Sequence, residues 1–443
     1  MMKIRSRGPV DAVVTPPGSK SITNRALLLA ALADGTTTLN GVLDAEDSQM
    51  MLGALRTLGV DVHHDPQDQQ VEVTGCGGIY PTKDAGIYVG NSGTSARFLA
   101  AALCFADGNY RLHGKPRMHE RPIRDLVDAL SQLGADICCE NADGCLPIRI
   151  RGLRTPKKRR ITVSGELSSQ YLSALLMAAP LATKRCDVEI RLAGELVSVP
   201  YVTMTLAMIR SFGVDVETDD NLTSFRFGRN SVYQPQEEYR IEPDASAASY
   251  FFAAAAICGG TVRIPGLSQE SLQGDVKFVD CLCEMGCVAA YCRDAIIVSH
   301  TPSLPLRGIS VDMNSFSDTA QTLAAVALFA EGPTEIRNIG HVRLKETDRI
   351  AAVAAELRKF GAVVEERPDG LTIAPPKRLT PATVETYDDH RMAMSFAVVG
   401  LRLPGTVICD PNCVEKTFPE FFSELDKLTE QQPRGESGCN FPR

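Results

Sequence analysis

Apolar and small residues fall along this chain in blocks of helical length, and the blocks recur. Six segments share one design: a small or polar start, a run rich in Ala and Leu, a glycine-type stop and a short strand-like alternation. They begin at Gly18-Ser19-Lys20-Ser21, Gly90-Asn91-Ser92-Gly93-Thr94, Gly165-Glu166-Leu167-Ser168-Ser169, Glu242-Pro243-Asp244-Ala245-Ser246, Asn314-Ser315-Phe316-Ser317-Asp318 and Tyr387-Asp388-Asp389-His390-Arg391. The interval between starts is about 72–77 residues. A second helix keeps the same period: Leu52–Leu58 stops at Gly59, Leu126–Leu133 at Gly134, Leu206–Phe212 at Gly213, Val279–Met285 at Gly286 and Ala352–Phe360 at Gly361. Glycine just past a helix end is the expected C-terminal stop.

Six copies of a βαβαββ-like unit predict an α/β protein built as two similar halves of three units each. The hinge in sequence falls at Arg229–Tyr239, where Pro235 and polar residues interrupt the pattern, and a linker is expected after Pro16-Pro17-Gly18. The sixth copy fades at Phe418–Leu428, and the polar tail Thr429–Arg443 reads as disordered.

Composition narrows the function. The 443 residues are 44% hydrophobic and 23% charged, ordinary values for a globular protein with room for two or three domains. A net charge of −8 argues against a general nucleic-acid or anionic-membrane binder, so an anion site must be built locally from a few cations. No stretch approaches the ~18 apolar residues of a membrane span. Met1–Val10 has basic residues but no apolar run behind them, so neither a signal peptide nor a Ser/Arg-rich leader is expected. The 14 cysteines form no Cys-x-x-Cys, and the seven histidines have no metal-type spacing with them. Reduced thiols in a cytoplasmic protein, with no metal, is the simplest reading.

The unusual residues gather at the six helix starts. A helix N-terminus presents unpaired N–H groups and a partial positive charge, and so favours anions. In the first copy Ser21 and Arg25 lie four apart on one face, with Lys20 beside them, a set that suits a phosphate. The ordinary alternative is a serine cap with surface cations. In the second copy Gly93 lets backbone approach a ligand, but no Gly-Lys-Ser/Thr follows, so this is not a P-loop. The third offers Ser168-Ser169-Gln170, the fifth Asp318 with Asp312 nearby, and the sixth His390-Arg391 after two aspartates. Arg121 and Lys416 are further cationic positions.

The stretch His341–Ile350 (His-Val-Arg-Leu-Lys-Glu-Thr-Asp-Arg-Ile) has five charged residues in ten. If it opens a helix, Lys345 and Arg349 lie four apart on one face and Glu346 three before Arg349. That face would offer two cations to an anion and one carboxyl to move a proton. A solvated face with internal ion pairs is the alternative for any such run.

These motifs, in this order, resemble those of the 5-enolpyruvylshikimate-3-phosphate synthases, a shikimate-pathway family of enolpyruvyl transferases. The resemblance runs from about Val10 to Leu428. It rests on Pro17-Gly18-Ser19-Lys20-Ser21 with Asn24-Arg25, Gly90-Asn91-Ser92-Gly93-Thr94 with Arg97, Glu120-Arg121-Pro122-Ile123, Ser168-Ser169-Gln170, Lys345-Glu346-Thr347-Asp348-Arg349, Asp389-His390-Arg391-Met392-Ala393 and Lys416-Thr417-Phe418-Pro419. It implies a two-lobed, inside-out α/β repeat fold, each lobe of three βαβαββ units, with the active site in the interdomain cleft. The lobes would be 19–238, mainly the shikimate-phosphate side, and 1–18 with 239–428, mainly the phosphoenolpyruvate and acid–base side.

The implied reaction joins phosphoenolpyruvate to the 5-hydroxyl of shikimate 3-phosphate and releases phosphate, on the way to chorismate and the aromatic amino acids. No metal or organic cofactor is implied, and the expected partners are the two small substrates, with the chain a monomer. By resemblance, Lys20, Ser21, Arg25, Ser168, Ser169, Gln170, Ser198, Asp318 and Lys345 would bind shikimate 3-phosphate, and Tyr201 would line the same pocket. Lys20, Asn91, Gly93, Arg121, Gln170, Arg349, His390, Arg391 and Lys416 would hold phosphoenolpyruvate. Asp318 would take the hydroxyl proton and Glu346 would protonate the methylene carbon, with Lys20 assisting. Beside Lys345 and Arg349, Glu346 would tend to ionise, and so is expected to recover its proton only when bound anions compensate those cations.

Two positions depart from the pattern. His341 stands where the family often has Asn, and Phe98 follows Arg97 where many relatives have Pro. The sibling transferase acting on UDP-N-acetylglucosamine carries a cysteine shortly before its Arg-Pro. Here Lys115–Glu120 contains none. A non-catalytic sugar-phosphate binding protein on the same scaffold is the rival from another class, and it would be favoured by loss of either Asp318 or Glu346. A nucleic-acid-end enzyme on a related repeat fold would need a basic, aromatic-studded groove.

Overall fold

Each predicted repeat folds as one layer of helix against one small sheet. The structure, a computed structural model, describes residues 1–6, 8–153, 158–165, 168–184 and 186–428. The tail 429–443, expected to be disordered, lies outside the described residues, as do Glu166 and Leu167 of the third helix start. Twelve α-helices follow in order among the described residues: α1 Lys20–Leu32, α2 Glu46–Thr57, α3 Gly93–Leu103, α4 Arg124–Gln132, α5 Ser169–Ala182, α6 Val199–Ser211, α7 Ala245–Cys258, α8 Phe278–Glu284, α9 Ala320–Ala327, α10 Arg349–Lys359, α11 His390–Arg402 and α12 Phe421–Lys427. Odd-numbered helices are the first of each copy, even-numbered ones the second. The sixth copy, which fades in the sequence, still forms its second helix, but only seven residues long. Second helices stop where glycine allows a positive φ, as at Gly59 (81°) and Gly361 (95°).

The sheets repeat too. In the second copy Asp84–Tyr88 runs parallel to Asn109–His113, which pairs antiparallel with Ile148–Arg151, itself antiparallel to Asp136–Cys139. The third and fifth copies have the same order. In the first and fourth copies the parallel strand comes from elsewhere in the chain. Glu238–Arg240, just ahead of α7, pairs with Asp34–Asn40 of the first copy. Val10–Val13, just ahead of α1, pairs with Gly260–Pro265 of the fourth. The sixth copy has Thr383–Val384 parallel to Val407–Ile408 and closes on Met2–Lys3.

This exchange of strands divides the chain into two compact units. One comprises Met1–Pro17 and Pro243 onward, the other Gly18–Glu242. The break therefore falls four residues later than the expected 238, because the Glu238–Arg240 ladder and the Ile241 N–H bond to Asn40 tie that segment to the first copy.

Within each unit the first helices form the core. In one, α1, α3 and α5 pack together; in the other, α7, α9 and α11 do. Every residue of α7 is buried, as its uniformly apolar and small sequence requires. The strands are half-buried with alternating exposure, Gln70–Cys76 for example, so one sheet face lies on the helices and the other on solvent. A fully buried Leu or Phe contributes about 1.5–3 kcal/mol. Phe251, Phe360 and Phe396 of one unit and Leu27–Leu29 and Phe98 of the other are all 0% exposed.

The turn into α1 is built around a glycine for steric reasons. A Cβ at Gly18 would lie 1.9 Å from the Gly41 carbonyl oxygen, whereas one at Gly53, inside α2, would meet nothing within 4 Å. Gly18→Ala is expected to lower unfolding free energy by about 1–3 kcal/mol. Gly53→Ala is expected to raise it by about 0.5–1 kcal/mol through helix propensity. Urea melts of both variants check the contrast.

Candidate active site

In the unit Gly18–Glu242 the candidate residues sit at the N-terminal ends of α1, α3, α5 and α6. Lys20 opens α1, and its Nζ lies 3.3 Å from the Asp47 carboxylate. Arg25, one turn on, is not a surface cation. It is 1% exposed, and its guanidinium donates to Ser21 O (2.9 Å), Thr205 Oγ1 (2.8 Å), Ser173 Oγ (3.2 Å) and Tyr201 O (3.3 Å). It lies 5.0 Å from the Phe98 ring centre and 6.0 Å from that of Tyr201. Burial pulls its pKa down to about 10, which leaves it charged at neutral pH. Phe98 thus does not interrupt α3, which runs unbroken from Gly93 to Leu103, and its ring supports Arg25.

At the start of α3, Arg121 reaches back to Asn91, donating to its carbonyl at 3.0 Å and its side-chain oxygen at 3.3 Å. Arg97 donates to the Pro122 carbonyl at 2.7 Å, and that carbonyl also accepts from Tyr171. A Cβ at Gly93 would stand 2.6 Å from Arg121 Nη2 and 3.2 Å from Arg97 Nη1. The bare glycine is what lets two buried guanidinium groups share that helix end. Ser168 caps α5, accepting from the Gln170 N–H at 3.2 Å, with Ser169 buried behind it. Ser198 opens α6 in a left-handed conformation (φ 55°) and is 4% exposed.

The other unit holds the denser cluster. Its hub is Arg349, 3% exposed. The guanidinium donates to Asp389 Oδ2 (2.8 Å), Glu346 Oε2 (2.8 Å) and Asp318 Oδ1 (3.1 Å). Burial opposes its charge, but Asp389, Glu346 and Asp318 outweigh burial and hold its pKa above the ordinary value. Arg391 donates to Asp318 Oδ2 at 2.8 Å and to the Asp318 carbonyl at 3.0 Å. Lys416 Nζ is 3.0 Å from Glu346 Oε1. Three cations and three carboxylates are thus interlocked in one buried patch. Asp275 lies beside it, accepting from Ser246 at 2.5 Å. Burial, and then the charge of Asp318, push its pKa above the usual carboxylate range. His390, at the start of α11, is 1% exposed, with Nδ1 3.6 Å from Asp389.

The expected helix through Lys345 and Glu346 does not form. A 3-10 helix covers Gly340–Leu344, Lys345 is extended away from helical geometry (ψ −145°), and α10 begins only at Arg349. The physical reason is Asp348, whose side chain accepts from the Ala351 N–H and caps α10 there. Asp348 is held in turn by a two-pronged bond from Arg343, which also reaches Glu366. So Arg343 and Asp348 follow the ion-pair reading of this stretch. The Glu346–Arg349 contact survives from the loop, and half-buried Lys345 leads into it.

The structure also separates the two aspartates of the fifth copy. Asp312 caps a turn, accepting from the Asn314 N–H and from the Asn338 amide, and takes no part in the cluster. In the sequence Asp389 is one of two aspartates ahead of His390-Arg391; in the structure it caps α11, accepting from the Arg391 N–H at 2.9 Å. Its grip on Arg349, forty residues away, had no sequence signal. Nor had Asp47 beside Lys20, or Thr205 and Ser173 around Arg25.

The family model for EPSP synthase (3-phosphoshikimate 1-carboxyvinyltransferase) matches residues 4–425. A chloroplastic 3-phosphoshikimate 1-carboxyvinyltransferase of Arabidopsis thaliana is 46% identical over 432 residues, 95% of this chain and 83% of that protein. The 3-phosphoshikimate 1-carboxyvinyltransferase of Serratia proteamaculans is 48% identical over 422 residues, 95% of this chain and 97% of that one. Among solved structures, an EPSP synthase of Acinetobacter baumannii superposes with a TM-score of 0.78 at 25% identity, covering 96% of this chain and 97% of its own. An enolpyruvyl transferase of Streptomyces tendae gives 0.76 at 19% identity, with 96% of each chain covered, and shares the fold. A match along nearly the whole chain, with the motif residues gathered at the helix starts, places this chain in the EPSP synthase family.

Proposed function

We propose that the two residue sets carry out the reaction of this family, transfer of the enolpyruvyl group of phosphoenolpyruvate to the 5-hydroxyl of shikimate 3-phosphate with release of phosphate. The observation that carries the assignment of roles is the single guanidinium of Arg349 holding Asp318 and Glu346 together. One carboxylate is a base and the other an acid, and addition across an enol double bond needs one of each.

Asp318 accepts the proton of the 5-hydroxyl as its oxygen attacks the second carbon of phosphoenolpyruvate. Glu346 gives a proton to the methylene carbon, which becomes a methyl group. Elimination reverses the second transfer: the methyl group returns its proton to Glu346, the double bond re-forms and phosphate leaves with the proton that Asp318 gained. Arg349, Arg391 and Lys416, with Lys20 and Arg121, supply the positive charge that offsets repulsion between the two anionic substrates. Arg25, Ser168, Ser169, Ser198 and Gln170 take the shikimate phosphate and hydroxyls, with Tyr201 lining the pocket. Lys345 completes that set. The reading takes the chain as a monomer acting on small molecules. The thirteen cysteines among the described residues are all free, which fits the reducing cytoplasm, and none of the described helices is long and apolar enough to cross a membrane.

His341 fits the family position often held by Asn because it is neutral. Burial, and then repulsion from Lys345, bring its pKa down to about 4, and its Nε2 lies 2.8 Å from Ser317 Oγ. A neutral imidazole, like an amide, hydrogen-bonds without adding charge beside Asp318.

Phosphate release with phosphoenolpyruvate and shikimate 3-phosphate, run against UDP-N-acetylglucosamine with no metal added, tests the reaction. Release is expected only with shikimate 3-phosphate. Tight binding of both ligands without release would instead make this a sugar-phosphate sensor. Asp318→Ala and Glu346→Gln are each expected to lower kcat by about 10²–10⁴. A pH–rate profile unchanged in Glu346→Gln would remove Glu346 as the acid. His341→Asn should keep kcat within about threefold of the parent, as expected when one neutral group replaces another. The folded-state pKa of His341 lies below its ordinary 6.5, so its contribution to stability is present above pH 6.5 and is lost as pH falls towards 4. Thermal melts from pH 7 to 4.5 should therefore shift in favour of the Asn variant as the solution is acidified.

A further inference from the structure

Seven residues beyond Arg349 on α10, and so on the same face of the helix, stands Glu356. It is 0% exposed, yet it is a carboxylate. Three donors satisfy it: the Glu385 N–H at 3.1 Å, the Tyr387 hydroxyl at 2.7 Å and Lys359 Nζ at 2.7 Å. Two of the three belong to the short segment that runs into Asp389. The same segment is held at its other end by Arg349 through Asp389. Two turns of one helix, about 10 Å apart, thus pin both ends of a five-residue stretch, Glu385–Asp389.

Between the pins the backbone is strained. Tyr387 and Asp388 both have positive φ, 56° and 54°, and neither is glycine. Consecutive left-handed residues with side chains persist only where their surroundings over-determine them. The turn they make places Asp389 as the cap of α11 and sets the position of Arg391, the next residue but one. The stretch is also held by the Asp389 N–H bond to the Thr386 carbonyl and by the Cys409 thiol on Glu385 Oε1 at 3.2 Å.

We propose that Glu356 is a positioning residue for the phosphoenolpyruvate site. It acts through Tyr387 and the Glu385 amide to hold the strained turn from which Asp389 and Arg391 are presented. Glu356 touches none of Arg349, Arg391 and Lys416; it sets where Asp389, and hence Arg391, stand. The inference rests on the assignment of Arg391 to phosphoenolpyruvate made above.

Steady-state kinetics on the full chain separate the two. Arg391→Ala should raise KM for phosphoenolpyruvate at least tenfold; if it does not, the assignment of the site falls. With that result in hand, Tyr387→Phe, which removes one hydroxyl from a side chain 42% exposed, should raise KM for phosphoenolpyruvate three- to fivefold. Glu356→Ala should raise it tenfold or more, and Glu356→Gln, which keeps an acceptor for the Glu385 N–H and offers its own N–H to the Tyr387 hydroxyl oxygen, should recover most of that loss. Affinity for shikimate 3-phosphate, followed separately by calorimetry, should change less than twofold throughout. The decisive comparison is with the double variant Glu356→Ala, Asp388→Gly, because glycine takes a left-handed conformation without strain. It should bind phosphoenolpyruvate more tightly than Glu356→Ala alone. If Tyr387→Phe and Glu356→Ala match the parent while Arg391→Ala does not, or if Asp388→Gly brings no recovery, the proposal is overturned and Glu356 only holds α10 in place.

Discussion

The chemistry of this chain depends on one buried guanidinium holding three carboxylates. Arg349 cannot be removed cheaply. Its loss would leave Asp389, 0% exposed, with its largest compensating charge gone, and breaking a buried ion pair from one side costs about 3–5 kcal/mol. The same arrangement explains why the proposed acid–base pair sits where it does. Asp318 comes from the 3-10 helix Asn314–Thr319 that leads into α9 and Glu346 from the loop that precedes α10, and such short segments alone would leave two charged side chains free to turn to solvent. Arg349 at the first turn of α10, with Arg391 and Lys416 behind, gives each oxygen a fixed partner. The cluster is close to neutral as it stands, which is how a chain of net charge −8 keeps several cations buried together.

Much of this was legible in the sequence because it is periodic. A helix start, a helix stop and a strand recur at a fixed interval, and those features are local. So the six copies, their two helices each and the concentration of polar residues at the starts all follow from short-range pattern. What was not legible depends on pairing across long separations. Nothing in Val10–Val13 says that it will pair with Gly260–Pro265 rather than with the copy it precedes, since any short alternating strand satisfies either ladder. Spacing places Arg25 on one face with Ser21, but nothing local says that Thr205, 180 residues on, and the Phe98 ring will close around it.

The stretch around Lys345 shows how two local rules compete. Spacing alone favoured a helix through Lys345 and Glu346. Capping favoured a start after Asp348, and capping won because Arg343 fixes the Asp348 carboxylate in place. The outcome suits the site. On a helix, Glu346 would be confined to the direction its face allows. From the loop it reaches Arg349 with one oxygen and Lys416 with the other.

That double contact bears on how an ion-paired carboxyl acts as an acid. Held between a guanidinium and an ammonium, Glu346 favours its charged form, and a group in that state has no proton to give. An arriving anion changes the local balance without moving any protein atom far. Each negative charge placed on Arg349 or Lys416 weakens the field that keeps Glu346 ionised, and Asp318, sharing Arg349, feels the same change. The two carboxyls have unequal compensation, however. Asp318 keeps a second guanidinium, Arg391, which bonds its other oxygen and also its backbone carbonyl and so is fixed on that residue twice, whereas the second partner of Glu346 is the ammonium of Lys416, a point charge on a flexible stem. We propose that the proton goes to Glu346 first, so that the identity of their neighbours separates the acid from the base and substrate charge is the trigger for protonation.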